Sequence, residues 1–214
     1  MTELYSWGLL AALGAFHGFN PGMGWLFAVA LGLQERRRGA VLSALVPLGL
    51  GHLLAVAVAI VLAAALGAVL STTALRVVVA GALLAFGGYR LVRHAHPAWA
   101  SMRVGFNRLT LWSFLMASAH GAGLMVVPIF LGMTAAPAGA HAHHGHHVAA
   151  VGGTLATTLL ATALHATGYL AITGVVALVV FEKLGVGLLR KAWLNTDVMW
   201  AAALVITGVT TMFV

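Results

Sequence analysis

The 214-residue chain is 62% apolar and 7% charged, carries 11 Lys and Arg against 4 Asp and Glu, and has no cysteine. Soluble domains average about 45 to 50% apolar and about 25% charged residues, so this chain lacks the polar surface of a water-soluble fold and has no room for a second, soluble domain. The absent cysteines exclude disulfides, thiolate metal sites and dithiol chemistry, and the basic residues, confined to short segments between apolar stretches, form no stripe for a nucleic-acid partner.

Six apolar segments reach the roughly 20 residues that a spanning helix needs: residues 5–33, 40–67, 73–95, 109–133, 149–181 and 192–213. The start, Met1-Thr2-Glu3-Leu4, lacks the basic region of a signal peptide, so the first span is expected to be retained. That span is too long for one uninterrupted crossing, and Asn20-Pro21-Gly22 in its middle predicts a break. Pro47 in the second span is a candidate bend just before His52. The third span ends among Arg90 and Arg93, and His96, Pro97 and Trp99 beyond it read as an interfacial stretch. The fourth contains Ser118-Ala119-His120-Gly121-Ala122-Gly123 and the fifth Leu164-His165-Ala166-Thr167. Asp197 in the first turns of the sixth suits N-terminal capping.

Lys and Arg are retained on the cytoplasmic side. Arg36, Arg37 and Arg38, then Arg90, Arg93, Arg103 and Arg108, then Lys183, Arg190 and Lys191 all lie in or beside the odd-numbered connections. Only Arg76 lies beside an even one. Both termini and the connection at 134–148 are therefore expected on the outer, periplasmic face of a bacterial inner membrane.

The halves resemble each other. His17-Gly18 in the first span matches His120-Gly121 in the fourth, and His52 in the second matches His165 in the fifth. His17 and His52 are 35 residues apart, His120 and His165 are 45, and the excess matches an insertion running from Ala140 to His147. Three spans per half force the second half to be inverted. The expected fold is an all-α membrane protein of six transmembrane helices, built as two inverted three-helix repeats, 1–105 and 106–214, with helices 1 and 4 broken and a His-rich outward loop at 134–148.

At about 1.5 Å per residue, His17, His52, His120 and His165 fall near the bilayer midplane on four different helices. Ionisable residues there are costly and face a pathway or a partner. Neutral imidazoles can ligate zinc, copper, nickel or cobalt. They can also donate to backbone carbonyls at helix breaks, or act as axial pairs for haem. The unwound backbone at residues 20–22 frees carbonyls that suit cations where they line a cavity. Asn20 adds a neutral oxygen, and Met23 or Met125 a thioether, although simple packing is the plainer reading for the methionines. In the outward loop, His141, His143, His144, His146 and His147 form a tract that gathers divalent metals without choosing among them, or that responds to pH.

The segment His17-Gly18-Phe19-Asn20-Pro21-Gly22-Met23 resembles the His-x-x-Asp-Pro-Asp-His signature of nickel/cobalt transporters, and Leu50-Gly51-His52 resembles their Leu-Gly-His segment. The three-plus-three layout is similar to that of the amino-acid and metal exporter superfamily, which includes nickel/cobalt efflux proteins. Asn20, Gly22 and Met23 stand where that signature has Asp, Asp and His, so the site is uncharged and leaves zinc and copper open, Cu(I) included. The resemblance implies a transporter of a transition-metal cation as substrate and carries over His17, His52 and, as a neutral ligand, Asn20; the matched histidines His120 and His165 complete the expected midplane site, and proton competition for the same lone pairs offers coupling. Two alternatives stand beside it: an exporter of amino acids or small organic solutes, and a non-transporting haem or metal-binding membrane protein. The four acids lie near span ends and form no catalytic pair, so no enzyme is expected.

Overall fold

A computed structural model of the chain describes residues 3–92, 105–134, 147–184 and 196–213. Eight α-helices and no strand occur among them: α1 (Glu3–Phe19), α2 (Trp25–Glu35), α3 (Arg38–Gly67), α4 (Thr72–Val92), α5 (Phe106–Ala119), α6 (Ala122–Thr134), α7 (His147–Val179) and α8 (Thr196–Phe213). A 3-10 turn, Pro21–Met23, lies between α1 and α2, and a π-helical turn, Val180–Leu184, follows α7.

The break after α1 follows from its residues. Proline has no N–H to donate and pushes the preceding residue out of the helical region, and Asn20 is accordingly extended at φ −70°, ψ 123°. Its Oδ1 then accepts the Gly22 N–H at 2.8 Å, capping the short turn. Gly24 at φ +124° redirects the chain into α2, a conformation open to glycine alone at little cost. The second break is simpler: α5 ends at His120, Gly121 takes φ +68°, and α6 leaves at 60° to α5.

Three helical stretches, Arg38–Gly67, Thr73–Val92 and Ala156–Lys183, are long and apolar enough to cross a membrane, and the bent α5–α6 pair makes a fourth if it counts as one span. Trp25–Glu35 and Val198–Phe213 are shorter apolar helices. On α3, Leu42, Val46, Leu50, Leu54, Val58 and Val61 all stand exposed at three- or four-residue spacing. In water such a stripe would be an aggregation surface; against lipid tails it is matched. The chain is an all-helical, membrane-associated protein.

Helices meet where side chains are small, since lipid offers apolar surfaces no hydrophobic reason to leave it and close packing supplies the attraction. α1 packs on α7, α3 on α5, and α4 on α8. A methyl at Gly14 would overlap the carbonyl of His165, one at Gly18 the carbonyl of Tyr169, and one at Gly168 would press on the carbonyl of Ala11. Gly51 does the same service between α3 and α5, against the carbonyl of Thr110. These contacts bring the middle of each broken helix against the middle of a long one, which is where the histidines are.

Leu48, fully buried, fills the space that Gly24 leaves open and packs with Trp25, Val29, Val41 and Leu109. Leu48→Ala is expected to cost about 1 to 3 kcal/mol in thermal unfolding of the detergent-solubilised protein. That is less than a soluble core loses, because an unpacked apolar side chain is at home in lipid or detergent.

Candidate functional site

Each histidine is placed by the helix that carries it. His17 lies in the last turn of α1, and its Nδ1–H donates to the Leu13 carbonyl at 2.6 Å. His120, at the end of α5, repeats the arrangement: its Nδ1–H donates to the Met116 carbonyl, also four residues back, at 2.7 Å. His52 and His165 come from the middles of α3 and α7 and meet through their Nε2 atoms at 3.1 Å. All four side chains are at most 1% exposed.

Three of them form one cluster. Ring centroids lie 5.0 Å apart for His17–His165, 5.6 Å for His17–His52 and 5.3 Å for His52–His165. Tyr169 stacks on His52 at 4.0 Å, and Trp200 meets His17 edge-on at 4.5 Å and His120 at 5.5 Å. Trp200 thus stands between the cluster and the fourth histidine.

Carbonyls only accept hydrogen bonds, which fixes the tautomers of the neutral rings. His17 carries its proton on Nδ1, leaving a lone pair on Nε2. His165 Nδ1–H faces the Leu10 carbonyl at 3.2 Å, so its Nε2 is the acceptor and the His52 Nε2–H is the donor. His52 is left with a lone pair on Nδ1. His120 accepts at Nε2 from the always-protonated guanidinium of Arg90, 3.0 Å away. Both nitrogens of His165 and of His120 are therefore engaged. His17 Nε2 and His52 Nδ1 are buried and have no hydrogen-bond partner among the described residues. Among the described residues, no three His, Asp or Glu side chains are arranged so as to hold a metal ion together.

Four carbonyls at the helix breaks are already used. Trp25 Nε1 donates to Phe19 O at 3.1 Å, Tyr169 Oη to Met23 O at 2.7 Å, Thr173 Oγ1 to Gly18 O at 3.4 Å, and Trp200 Nε1 to His120 O. Asn20 spends its oxygen on the Gly22 cap. Met23 is packed with Leu10 and Tyr169, and Met125 with Leu83, Trp200 and Leu204. His141, His143, His144 and His146 lie outside the described residues, and of His147, the first residue of α7, only the backbone is described.

Sequence reasoning missed three members of this site. Arg90 counts by sequence as one more cytoplasmic charge, although its position in the last turn of α4, after Gly87-Gly88, was a signal that its side chain could turn inward. Tyr169 is four residues after His165 and so shares its helix face. Trp200 had no sequence signal tying it to the histidines.

The chain matches no family model, no curated protein and no solved structure. Its functional reading therefore rests on its own residues.

Proposed function

We propose that the protein is a membrane transporter, not an enzyme, and that it carries a transition-metal cation through the midplane histidine cluster. The observation that carries this reading is the pair of buried, unpartnered imidazole lone pairs on His17 and His52. A buried polar atom without a partner costs free energy and calls for an explanation. The ligands that bond a neutral imidazole nitrogen directly are a proton donor and a transition-metal ion, and the two compete for the same lone pair. Protonation of the cluster is the corresponding route to metal release and proton coupling.

The architecture in this proposal is six spans in two inverted halves, with α1 and α2 forming the first span and α5 and α6 the fourth. Several contacts support it. The broken helix of each half packs on the long helix of the other, α1 on α7 and α5 on α3. His17 and His120 make the same bond four residues back. His52 and His165, the equivalent residues of the two long helices, meet through the same atom. Substrate sites between inverted repeats sit near the midplane, and the charge pattern puts both termini outward. The nickel/cobalt transporter likeness of residues 17–23 is consistent with a metal substrate, and the His-rich loop at 134–148 would gather or receive ions on the outer side.

A haem reading is weaker on geometry. Axial imidazoles face each other across a macrocycle, whereas His52 and His165 hydrogen-bond directly and Tyr169 stacks on a face of His52. An exporter of amino acids or other small organic solutes, with the histidines as a proton relay, is the alternative for the same scaffold. The experiment is uptake of Ag(I), Cu(I), Zn(II), Ni(II) and Co(II) into proteoliposomes containing the wild type or the H17A/H52A double variant. Flux of at least one metal by the wild type, lost in the double variant, is the expected result. Equal flux by both, or none above protein-free liposomes, removes the metal-transport reading.

A further inference from the structure

The charge and the number of free ligands around the cluster restrict which ion it takes. We propose that the site, read as the metal site above, is selective for a univalent d10 cation, Cu(I) or its stable probe Ag(I), held in two-coordinate fashion by His17 Nε2 and His52 Nδ1.

Three observations lead there. The first is ligand number. Of the eight ring nitrogens on the four midplane histidines, only these two lack a partner among the described residues, and the Gly18, Phe19, Met23 and His120 carbonyls at the helix breaks are occupied by side-chain donors. Zinc, nickel and cobalt sites need four or more ligands, whereas soft univalent ions accept fewer. Recruiting His165 as a third ligand would break its bond to His52.

The second is geometry. With metal–nitrogen bonds of about 2.0 to 2.1 Å, two imidazoles held linearly by one ion place their ring centroids roughly 6.5 Å apart. The His17 and His52 rings, 5.6 Å apart, are near enough for one ion to span both, the rings parting by roughly 1 Å to reach the linear arrangement.

The third is charge. Among the described side chains the acids are Glu35, beside Arg37, and Glu182, beside Arg38; neither faces the cluster. Among the described side chains the nearest formal charge is positive: Arg90, bonded to His120 across Trp200 from His17. The desolvation cost of an ion rises as the square of its charge, roughly fourfold from one charge to two, and repulsion by Arg90 doubles. With neutral ligands and a neighbouring guanidinium, a divalent ion lacks the compensation that a carboxylate would provide.

Asn20 offers the complementary test. Its Oδ1 caps Gly22, and a methyl on Gly22 would lie 3.3 Å from that oxygen and 3.5 Å from His120 Nε2. Asn20→Asp keeps the cap and puts a negative charge on the Arg90–His120 side of the site. At an effective dielectric of about 20, a unit charge within about 10 Å of a divalent ion favours its second charge by about 10-fold or more.

The experiment measures equilibrium binding to the full chain in detergent, with His141, His143, His144, His146 and His147 changed to Ala so that they do not compete. The probes are Ag(I) and Zn(II), and the histidine ring nitrogens are followed by 15N NMR. The expected result is one Ag(I) per chain, bound at least about 100-fold tighter than Zn(II), and lost in H17A/H52A. One Nε2 and one Nδ1 resonance should shift, and N20D should narrow the preference by about 10-fold or more. Zn(II) binding as tight as Ag(I), Ag(I) binding that survives H17A/H52A, or a shift of two Nε2 resonances overturns the proposal. Binding is read apart from flux, so a protein that binds Ag(I) in this way but moves no metal refutes transport and leaves the selectivity standing.

Discussion

Replacing Gly14 by leucine is expected to leave no correctly packed protein, whereas the same replacement at Gly8, on the same helix, is expected to change little. At Gly14 the added Cβ falls on the carbonyl of His165 and close to the backbone N of Tyr169. Neither is a side chain that can rotate away, so α1 and α7 must separate. Overpacking a well-filled interior costs typically about 1 to 3 kcal/mol when side chains can yield; a backbone obstacle moves the effect beyond that range. Separation also disrupts the contact that delivers His165 to the Leu10 carbonyl and His17 to the cluster. Gly8 has nothing within 4 Å of its would-be Cβ and faces outward. Size-exclusion profiles of fluorescently tagged G14L and G8L in detergent read the contrast directly. A monodisperse G14L with the melting temperature of G8L would mean that α1 and α7 do not cross as described.

The four buried histidines are expected to be unequal in metal binding. A four-ligand structural zinc site binds with roughly 10 to 16 kcal/mol, or about 2.5 to 4 kcal/mol per ligand, and about 1.4 kcal/mol is a decade in affinity. Loss of either direct ligand, in H17A or H52A, should therefore weaken Ag(I) binding by about 100- to 1000-fold. His165 orients His52 through the Nε2 bond, as an outer-shell partner orients a ligand, and such partners are worth about 10- to 100-fold. H165A should fall in that range, and H165Q, which restores an acceptor, should recover part of it. His120 gives its lone pair to Arg90, so H120A should weaken binding by less than about 10-fold, the low end of outer-shell effects. Isothermal titration on the four single variants separates this order from a symmetrical four-histidine site, in which all four losses would be equal.

The apolar segments were legible because the bilayer demands long runs, and a composition this apolar leaves few other folds. Both helix breaks were legible for local reasons: Asn20-Pro21 acts through the missing N–H and the steric bias on the residue before proline, and His120-Gly121 through glycine's access to positive φ. The subdivision of the first long apolar segment into α1 and α2 follows from the same residues. That the four histidines are buried could be read from their places deep inside apolar segments on separate helices.

What the amino-acid order determined by itself was thus the all-helical membrane class, the positions of the breaks and the presence of four central imidazoles. Only the tertiary structure decided which imidazole nitrogens remain free. A lone pair is available or not according to what lies about 3 Å away, and here those neighbours are remote in sequence: Leu10 for His165, His165 for His52, Arg90 for His120. The same holds for the freed carbonyls, which Tyr169, Thr173 and Trp200 reach only once α7 and α8 have packed. Periodicity places a residue on a helix face, but hydrogen-bond exchange across helices, set by glycine-mediated approach, determines its chemistry.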